Sequence, residues 1–407
     1  KILIRLREGD MPPDEADMPS FDERLKFLDR IQLSLEKAAC KSGPRPGQAV
    51  LRRLNRSEYS ASVRDLLDIH FDAGESLPFD GSGGEGFDNA AETLFISPIH
   101  AEKYMDAARM AVEYAFPDTR ALSRFLIEQH EEKTPPEVAA RLVIEAFLPR
   151  AFRRPIHESE IVQYLALFQA SYKEDPSFEV AMRFTLQAVL VSPKFLFLSE
   201  APNSRAQPDK VTDHELASRL SYFLWGSIPD DVLLKAANDG GLSDPNTLRE
   251  QFERMLNKQN SRKVRNFSQN FVEQWLGTRA LGRDFTPDKS IRGYDSELEG
   301  GMKYEPVFFF NEIITKNQSL LDLIDSDYTY VNRRLARHYN IKGEFREQPK
   351  RVELTNKDRR GGVLGMAAVL AISSYPHRTS PVLRGKWILD TILGAVSYTH
   401  LTLPTKA

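Results

Sequence analysis

The chain has 407 residues, 28% of them charged and 41% hydrophobic, with a formal net charge of −3. That length and balance describe a globular chain with room for several units and exclude a disordered one. A charge so close to zero argues against a dedicated nucleic-acid binder. The longest apolar run, about 361–372, is too short to span a bilayer, and the single cysteine, Cys40, rules out internal disulfides and any CxxC or CxxCH motif within these residues.

In chain order, the sequence begins at Lys1 with no Met and no signal peptide, directly in helix-like residues, so a preceding segment is expected. Met11 stands before Pro12-Pro13. Ser20 and Glu23 form a capping box, and the stripe Phe21, Leu25, Leu28, Ile31 and Leu35 predicts a helix to about Lys41. A Pro/Gly linker, SGPRPGQ, occupies 42–48. Asn55 and Glu58 form a second capping box, and Tyr59, Val63, Leu66 and Leu67 give the new helix one apolar face. Arg52, Arg53, Arg56 and Arg64 flank that face.

The stretch 80–89 reads DGSGGEGFDN. Its four glycines permit positive φ and close backbone approach. Asp80, Glu85, Asp88 and Asn89 supply oxygens, which suits either a calcium-like site or a tight surface turn pinned by nearby arginines. The EF-hand spacing fails, because the twelfth position from Asp80 is Ala91 and not a bidentate Glu. Ser97 then caps a helix with Pro98 at its first position.

Helices are expected from Pro98 to about Tyr114, from Pro135, over Glu158–Tyr172 and over Ser177–Val191. The linker APNSRAQPDK, 201–210, is the expected main boundary. Beyond it, Thr212 and Glu215 cap a helix running to Trp225. Asp230-Asp231 sit at a helix start, where acidic groups suit the dipole. Gly240-Gly241 stops that helix, Asp244-Pro245 begins the next, and one carrying Val264, Phe267, Phe271 and Trp275 follows. Asp295–Lys316 reads as helix, with a kink or break expected at Pro306. Asn332 caps Arg333–Tyr339, and Arg351–Leu354 reads as an isolated strand. Val363–Ile372 is an expected apolar helix, and Ser380-Pro381 starts a last one reaching Leu393. Period-2 alternation is nearly absent, so the fold class is all-α and multi-helical, with very little strand.

Motifs that carry chemistry are sparse. There is no HExxH, HxH, GxSxG or P-loop. His70, His100, His130, His157 and His214 fall at helix ends or on polar faces and read as surface or capping residues, so no metal is expected. The second dense polar stretch is 375–387. There Arg378, Thr379, Ser380 and Arg384 gather before a helix N-terminus, as an anion site or as a capping turn held by arginine. No residue acquires a catalytic role by spacing alone.

Five runs then combine: RRLNRSEYSASVRDLL, LPFDGSGGEGFDN with LFISP, LASRLSYFLWGSIPDDVLL, YTYVNRRLARHYNI and HRTSPVLRGKW. In this order they resemble the planctomycete-type family of exported multidomain proteins, built from serial domains of unknown function and associated with cytochrome c modules. The resemblance covers about 1–394. The final residues, SYTHLTLPTKA, resemble a translated sequencing-adapter read-through of the kind found at the ends of metagenomic gene predictions, so 395–407 are set apart.

The resemblance implies a layout. It makes 1–41 the tail of a cytochrome-c-like module, followed by helical domains at 47–116, 120–200 and 208–342 and the start of another at 350–394. It implies Met11 as an axial haem ligand and haem c for a longer parent whose CxxCH segments lie outside this chain. It also implies export to the periplasm and work with a redox partner or envelope component in electron transfer. The alternative expectation is a non-catalytic scaffold or polysaccharide-binding protein of the cell envelope. A hydrolase using the acidic loop ranks third.

Overall fold

The computed structural model describes residues 19–41, 51–81, 86–117, 134–198, 211–257, 261–288, 293–355 and 360–394. Met11, Glu85, His130, both linkers and 395–407 lie outside the described residues. The chain divides into two compact units, Lys1–Ala49 with Ala201–Lys210, and Val50–Glu200 with Val211–Ala407. The class is all-α: fifteen α-helices and four short strands occur among the described residues.

In the first unit, helix α1 (Phe21–Lys41) starts at a capping box. Ser20 donates to Glu23 Oε2 from its backbone N at 2.9 Å and from its hydroxyl at 2.7 Å. In return the Glu23 backbone N–H, a donor that the first helical turn leaves unpaired, donates to Ser20 Oγ at 3.4 Å.

Among the described residues of the second unit there are four hydrophobic clusters. The largest joins α2 (Arg56–Leu67), α3 (Pro98–Ala115), α4 (Pro136–Phe152), α5 (Glu158–Glu174), α6 (Phe178–Leu190) and α7 (Pro193–Leu196). The face expected of α2 is the buried one: Tyr59, Val63, Leu66 and Leu67 are all fully inaccessible. On α3 the buried residues include Ala107, Ala108, Ala111 and Ala115, whose small side chains allow close approach. The Tyr59 ring lies edge-on to Tyr104 at 4.8 Å and to Phe195 at 5.9 Å, a favourable aromatic geometry.

Helices α8 (Asp213–Trp225), α9 (Asp231–Asn238) and α10 (Pro245–Leu256) form the next cluster. Helices α11 (Ser261–Trp275), α12 (Ser296–Thr315), α13 (Arg333–Tyr339) and α14 (Ala367–Ile372) belong with the remaining two. The segments on either side of 201–210 meet directly. Ser227 Oγ donates to Asp65 Oδ2 at 2.7 Å, Lys263 Nζ pairs with the same carboxylate at 2.7 Å, and Ser62 meets Tyr222 at 2.9 Å.

Three elements differ from expectation. The 351–354 strand is not isolated: β4 (Lys350–Glu353) pairs antiparallel with β3 (Tyr328–Val331), in register Thr329 with Val352. Helix α12 does not break at Pro306, the break being one of the two outcomes expected there. The missing N–H costs about 3 kcal/mol in a helix interior, and burial of Pro306 with Val307, Phe309 and Phe310 offsets it. The expected helix 363–372 is a 3₁₀ turn, Val363–Gly365, then α14. The break falls at Met366, whose extended backbone (φ −74, ψ 138) ends the turn and precedes the helix. Gly362, with φ +58 and no room for a Cβ, which would meet the Ile324 and Leu323 carbonyl oxygens at 2.5 Å, sets where the turn begins. A two-residue ladder, β1 (Arg52–Arg53) with β2 (Phe197–Leu198), was not legible in the sequence.

Arg153 closes this ladder from below. It ends α4 with φ +60, and its buried guanidinium donates to the carbonyls of Ala151, Lys194, Phe195 and Phe197 at 2.9–3.1 Å. Charged donors on buried acceptors are the costly kind to remove. Arg153→Ala is expected to lower the unfolding free energy by about 3 kcal/mol, read by urea denaturation; a loss below about 0.5 kcal/mol contradicts the assigned role.

Candidate functional site

The acidic loop is built around two arginines. Arg53 is 2% exposed, an unusual state for that residue. It reaches the Phe95 and Leu54 carbonyls at 3.1 and 2.9 Å, Tyr104 Oη at 3.1 Å and Asp80 Oδ1 at 2.5 Å. The other Asp80 oxygen accepts from Arg56 N at 2.6 Å. Asp80 therefore neutralises a buried cation and holds the backbone at the start of α2.

His100 lies beside this pair. Its Nε2 is 3.4 Å from the Arg53 guanidinium and its Nδ1 is 2.7 Å from Ser97 Oγ. Arginine only donates, so Nε2 accepts and Nδ1–H donates to the serine. Burial and the Arg53 charge hold the imidazole below its ordinary pKa. The pair is a neutral cap on α3, with the tautomer opposite to that of a base activating Ser97.

Asp88 has a different set of partners. Its Oδ1 accepts from Asn55 Nδ2 at 2.9 Å and its Oδ2 from Arg279 at 2.7 Å, while its backbone N donates to Gln274 Oε1 at 2.8 Å. Arg279 also donates to Asn270 Oδ1 at 2.6 Å, and Asn270 Nδ2 returns to Ser57 Oγ at 3.3 Å. Phe87 stacks on Phe271 at 5.8 Å. On the near side, Glu58 takes both Arg52 guanidinium nitrogens at 2.7 and 2.9 Å and the Asn55 backbone N at 3.0 Å. One continuous polar network thus joins the first turn of α2 to α11 and the turn that follows it.

Asp80 and Asp88 face different arginines, and Asn89 is exposed. Glu85 lies outside the described residues, and among the described residues no group of three or more His, Cys, Asp and Glu side chains is placed to hold a metal ion.

Around helix α15 (Pro381–Trp387), Ser380 Oγ accepts from Leu383 N at 3.2 Å. Arg384 turns back to the Leu370 carbonyl at 3.3 Å and Ser374 Oγ at 3.1 Å. The Arg378 guanidinium lies 5.0 Å from the Tyr375 ring centre, and Thr379 is exposed. The contacts made by Ser380 and Arg384 form a capping turn that fastens α15 to α14.

The structure adds a residue that the sequence reading did not single out. Glu305, in mid-α12, is 1% exposed. Its Oε1 accepts from Thr329 Oγ1 at 2.7 Å and its Oε2 from Tyr339 Oη at 2.5 Å. Tyr339 Oη accepts in turn from Ala367 N at 2.7 Å. Arg360 stacks on the Tyr339 ring at 3.7 Å and donates to the Gly365 carbonyl at 2.9 Å. Burial pushes the Glu305 carboxyl up to about 7, against the opposing effect of its hydroxyl donors and Arg360. The signal available in the sequence is a lone acid in the run EPVFFF, where a solvated glutamate is out of place.

Four family models match the chain in series, each described as a protein of unknown function. They are PSD3 (DUF1587) over 52–117, PSD5 (DUF1595) over 139–200, PSD4 (DUF1592) over 211–341 and PSCyt3 (DUF1588) over 360–402. The last match runs into the 395–407 segment set apart above. No curated protein and no solved structure matches. The Asp88–Arg279 pair thus connects residues of the first and third matched segments, and the Glu305–Tyr339–Ala367 chain connects the third and fourth.

Asn55 serves the network three times, as cap of Glu58 N at 2.8 Å, as acceptor from Ser57 Oγ at 2.9 Å and as donor to Asp88. Asn55→Ala is expected to cost about 2–3 kcal/mol, more than the ~1 kcal/mol of an ordinary cap. Chemical denaturation reads the difference, and a cost no larger than that of Ser177→Ala, a plain cap at 3.3 Å, contradicts the added role.

Proposed function

Because the chain belongs to the planctomycete-type family of serial cytochrome-c-associated domains, we propose that it is the helical middle of an exported protein that transfers electrons through haem c modules outside these residues. The observation that carries this reading is the cytochrome-associated family match at 360–402, standing in one chain with three partner domains. The geometry supports a positioning role. The acidic groups of the 80–89 loop that are described hold arginines and backbone, and the polar networks cross from one matched segment to the next.

Covalent haem c attachment takes two cysteines in a CxxCH segment, and the chain has only Cys40. These residues therefore do not fit an attached haem, and no step is assigned to one here. Met11 as axial ligand is part of the proposal, conditional on a haem module to which it belongs. Among the described residues no helix is long and apolar enough to cross a membrane.

The test is expression of the longer parent with a signal sequence and cytochrome c maturation, followed by visible spectroscopy. Reduced haem c bands are expected, and loss of the methionine–iron ligation signature from a Met11→Ala variant that keeps its haem assigns that residue. A parent that is correctly exported and folded yet lacks haem bands contradicts the electron-transfer reading and leaves the scaffold.

A further inference from the structure

We propose that the groove between α8 and α10 is a docking site for an acidic amphipathic helix of a partner protein. The inference stands apart from the electron-transfer reading, since it needs no haem and rests on residues of this chain alone.

The groove has two apolar walls. Leu216, Leu220 and Phe223 come from α8, Leu248 and Phe252 from α10, and the space they line is about 570 Å³. Its floor is fixed, because Leu216 and Leu220 are half-buried and pack on the core that α8, α9 and α10 share. At one end the Phe223 ring meets Phe267 of α11 at 5.7 Å. Phe223 nevertheless stays 65% exposed and Phe252 40%.

The spacing selects the shape of the occupant. Anchors at i, i+4 and i+7 on one wall, and four apart on the other, give a channel about 10 Å long, or two helical turns. A helix with apolar residues at the same spacing fills such a channel. An extended strand does not, since the main-chain groups of both walls are already bonded within their helices and leave its own donors unanswered. A flat bilayer surface does not reach leucines that lie on a floor between two walls.

The charges select its chemistry. The charged residues lining the groove are Arg219 and Arg249, one on each wall and both exposed. The acids at the starts of the two helices are engaged in caps and turns. Glu215 accepts from Thr212 N at 2.7 Å, Asp213 from Ser243 Oγ at 2.6 Å and Asp244 from Thr247 N at 3.0 Å. Glu250 and Glu253 are exposed on α10 but do not line the groove. A helix seated between the arginines is therefore favoured when Glu or Asp flanks its apolar stripe and penalised when Lys does.

The test uses the full chain and a fluorescent synthetic peptide of about four helical turns, with Leu, Leu and Phe at i, i+4 and i+7 and Glu on either side. One control peptide carries Lys for each Glu, and another scrambles the order so that no stripe forms. Fluorescence anisotropy is expected to show saturable binding of the Glu peptide, about tenfold or more tighter than either control and weakened at about 0.5 M salt. Phe223→Asp should abolish it. In the double variant Arg219→Glu with Arg249→Glu the preference should invert to the Lys peptide, and this exposed pair decides alone if Phe223→Asp does not fold. No saturable binding of the Glu peptide, equal binding of the controls, or a preference unmoved by the arginine changes overturns the proposal. Binding to vesicles of anionic phospholipid with none to the peptide assigns the face to a membrane surface and also overturns it.

Discussion

The buried Arg53 is the constraint from which the first half of the second unit follows. A guanidinium cannot lose its proton to escape burial, so every donor it carries needs an acceptor. Asp80, the Phe95 and Leu54 carbonyls and Tyr104 supply them. Meeting that demand draws the chain at 80 and 95 back onto the start of α2. The acidic loop is therefore bound at one end by Asp80, and its other end is free to carry Asp88 across to Arg279 and Gln274. The charges that make the stretch conspicuous in the sequence are used in holding helices.

The same logic recurs elsewhere in the second unit. Arg153 satisfies carbonyls that α4, α7 and β2 leave open. Asp230 caps α9 and takes both nitrogens of Arg254 from α10 at 2.7 and 2.9 Å. Glu305 joins α12 to α13 and, through Tyr339, to α14. Hydrophobic burial supplies the main driving force, but it is non-directional. The buried, fully partnered polar groups are what fix one arrangement of these helices against its neighbours.

What was legible in the sequence was local. Asn55, Ser97, Thr212, Asp230, Asp244, Asn332 and Ser380 each cap the helix their spacing announced, because a cap and its target lie three residues apart. The face of α2 was legible because a 3.6-residue period needs only one helix to be seen. Arg53, Arg153 and Glu305 were not legible, since their partners lie 42, 42 and 34 residues away. A surface arginine and a buried one look the same in a string. That the helix does not break at Pro306 was hidden for a related reason: the local cost is certain, while the packing that offsets it belongs to other helices. The strand at 351–354 was legible, but its partner β3 and the β1–β2 ladder were missed, because strands this short carry no alternation to read.

The acidic stretch acts as a clamp between α2 and α11. A double-mutant cycle between Asp88 and Arg279, with stability read by denaturation of Asp88→Ala, Arg279→Ala and the double variant, tests it most directly. A coupling of about 1–2 kcal/mol is expected, as for a partly buried, hydrogen-bonded charge pair. Additivity within about 0.3 kcal/mol contradicts it, and leaves the loop a surface turn with no part in holding the fold.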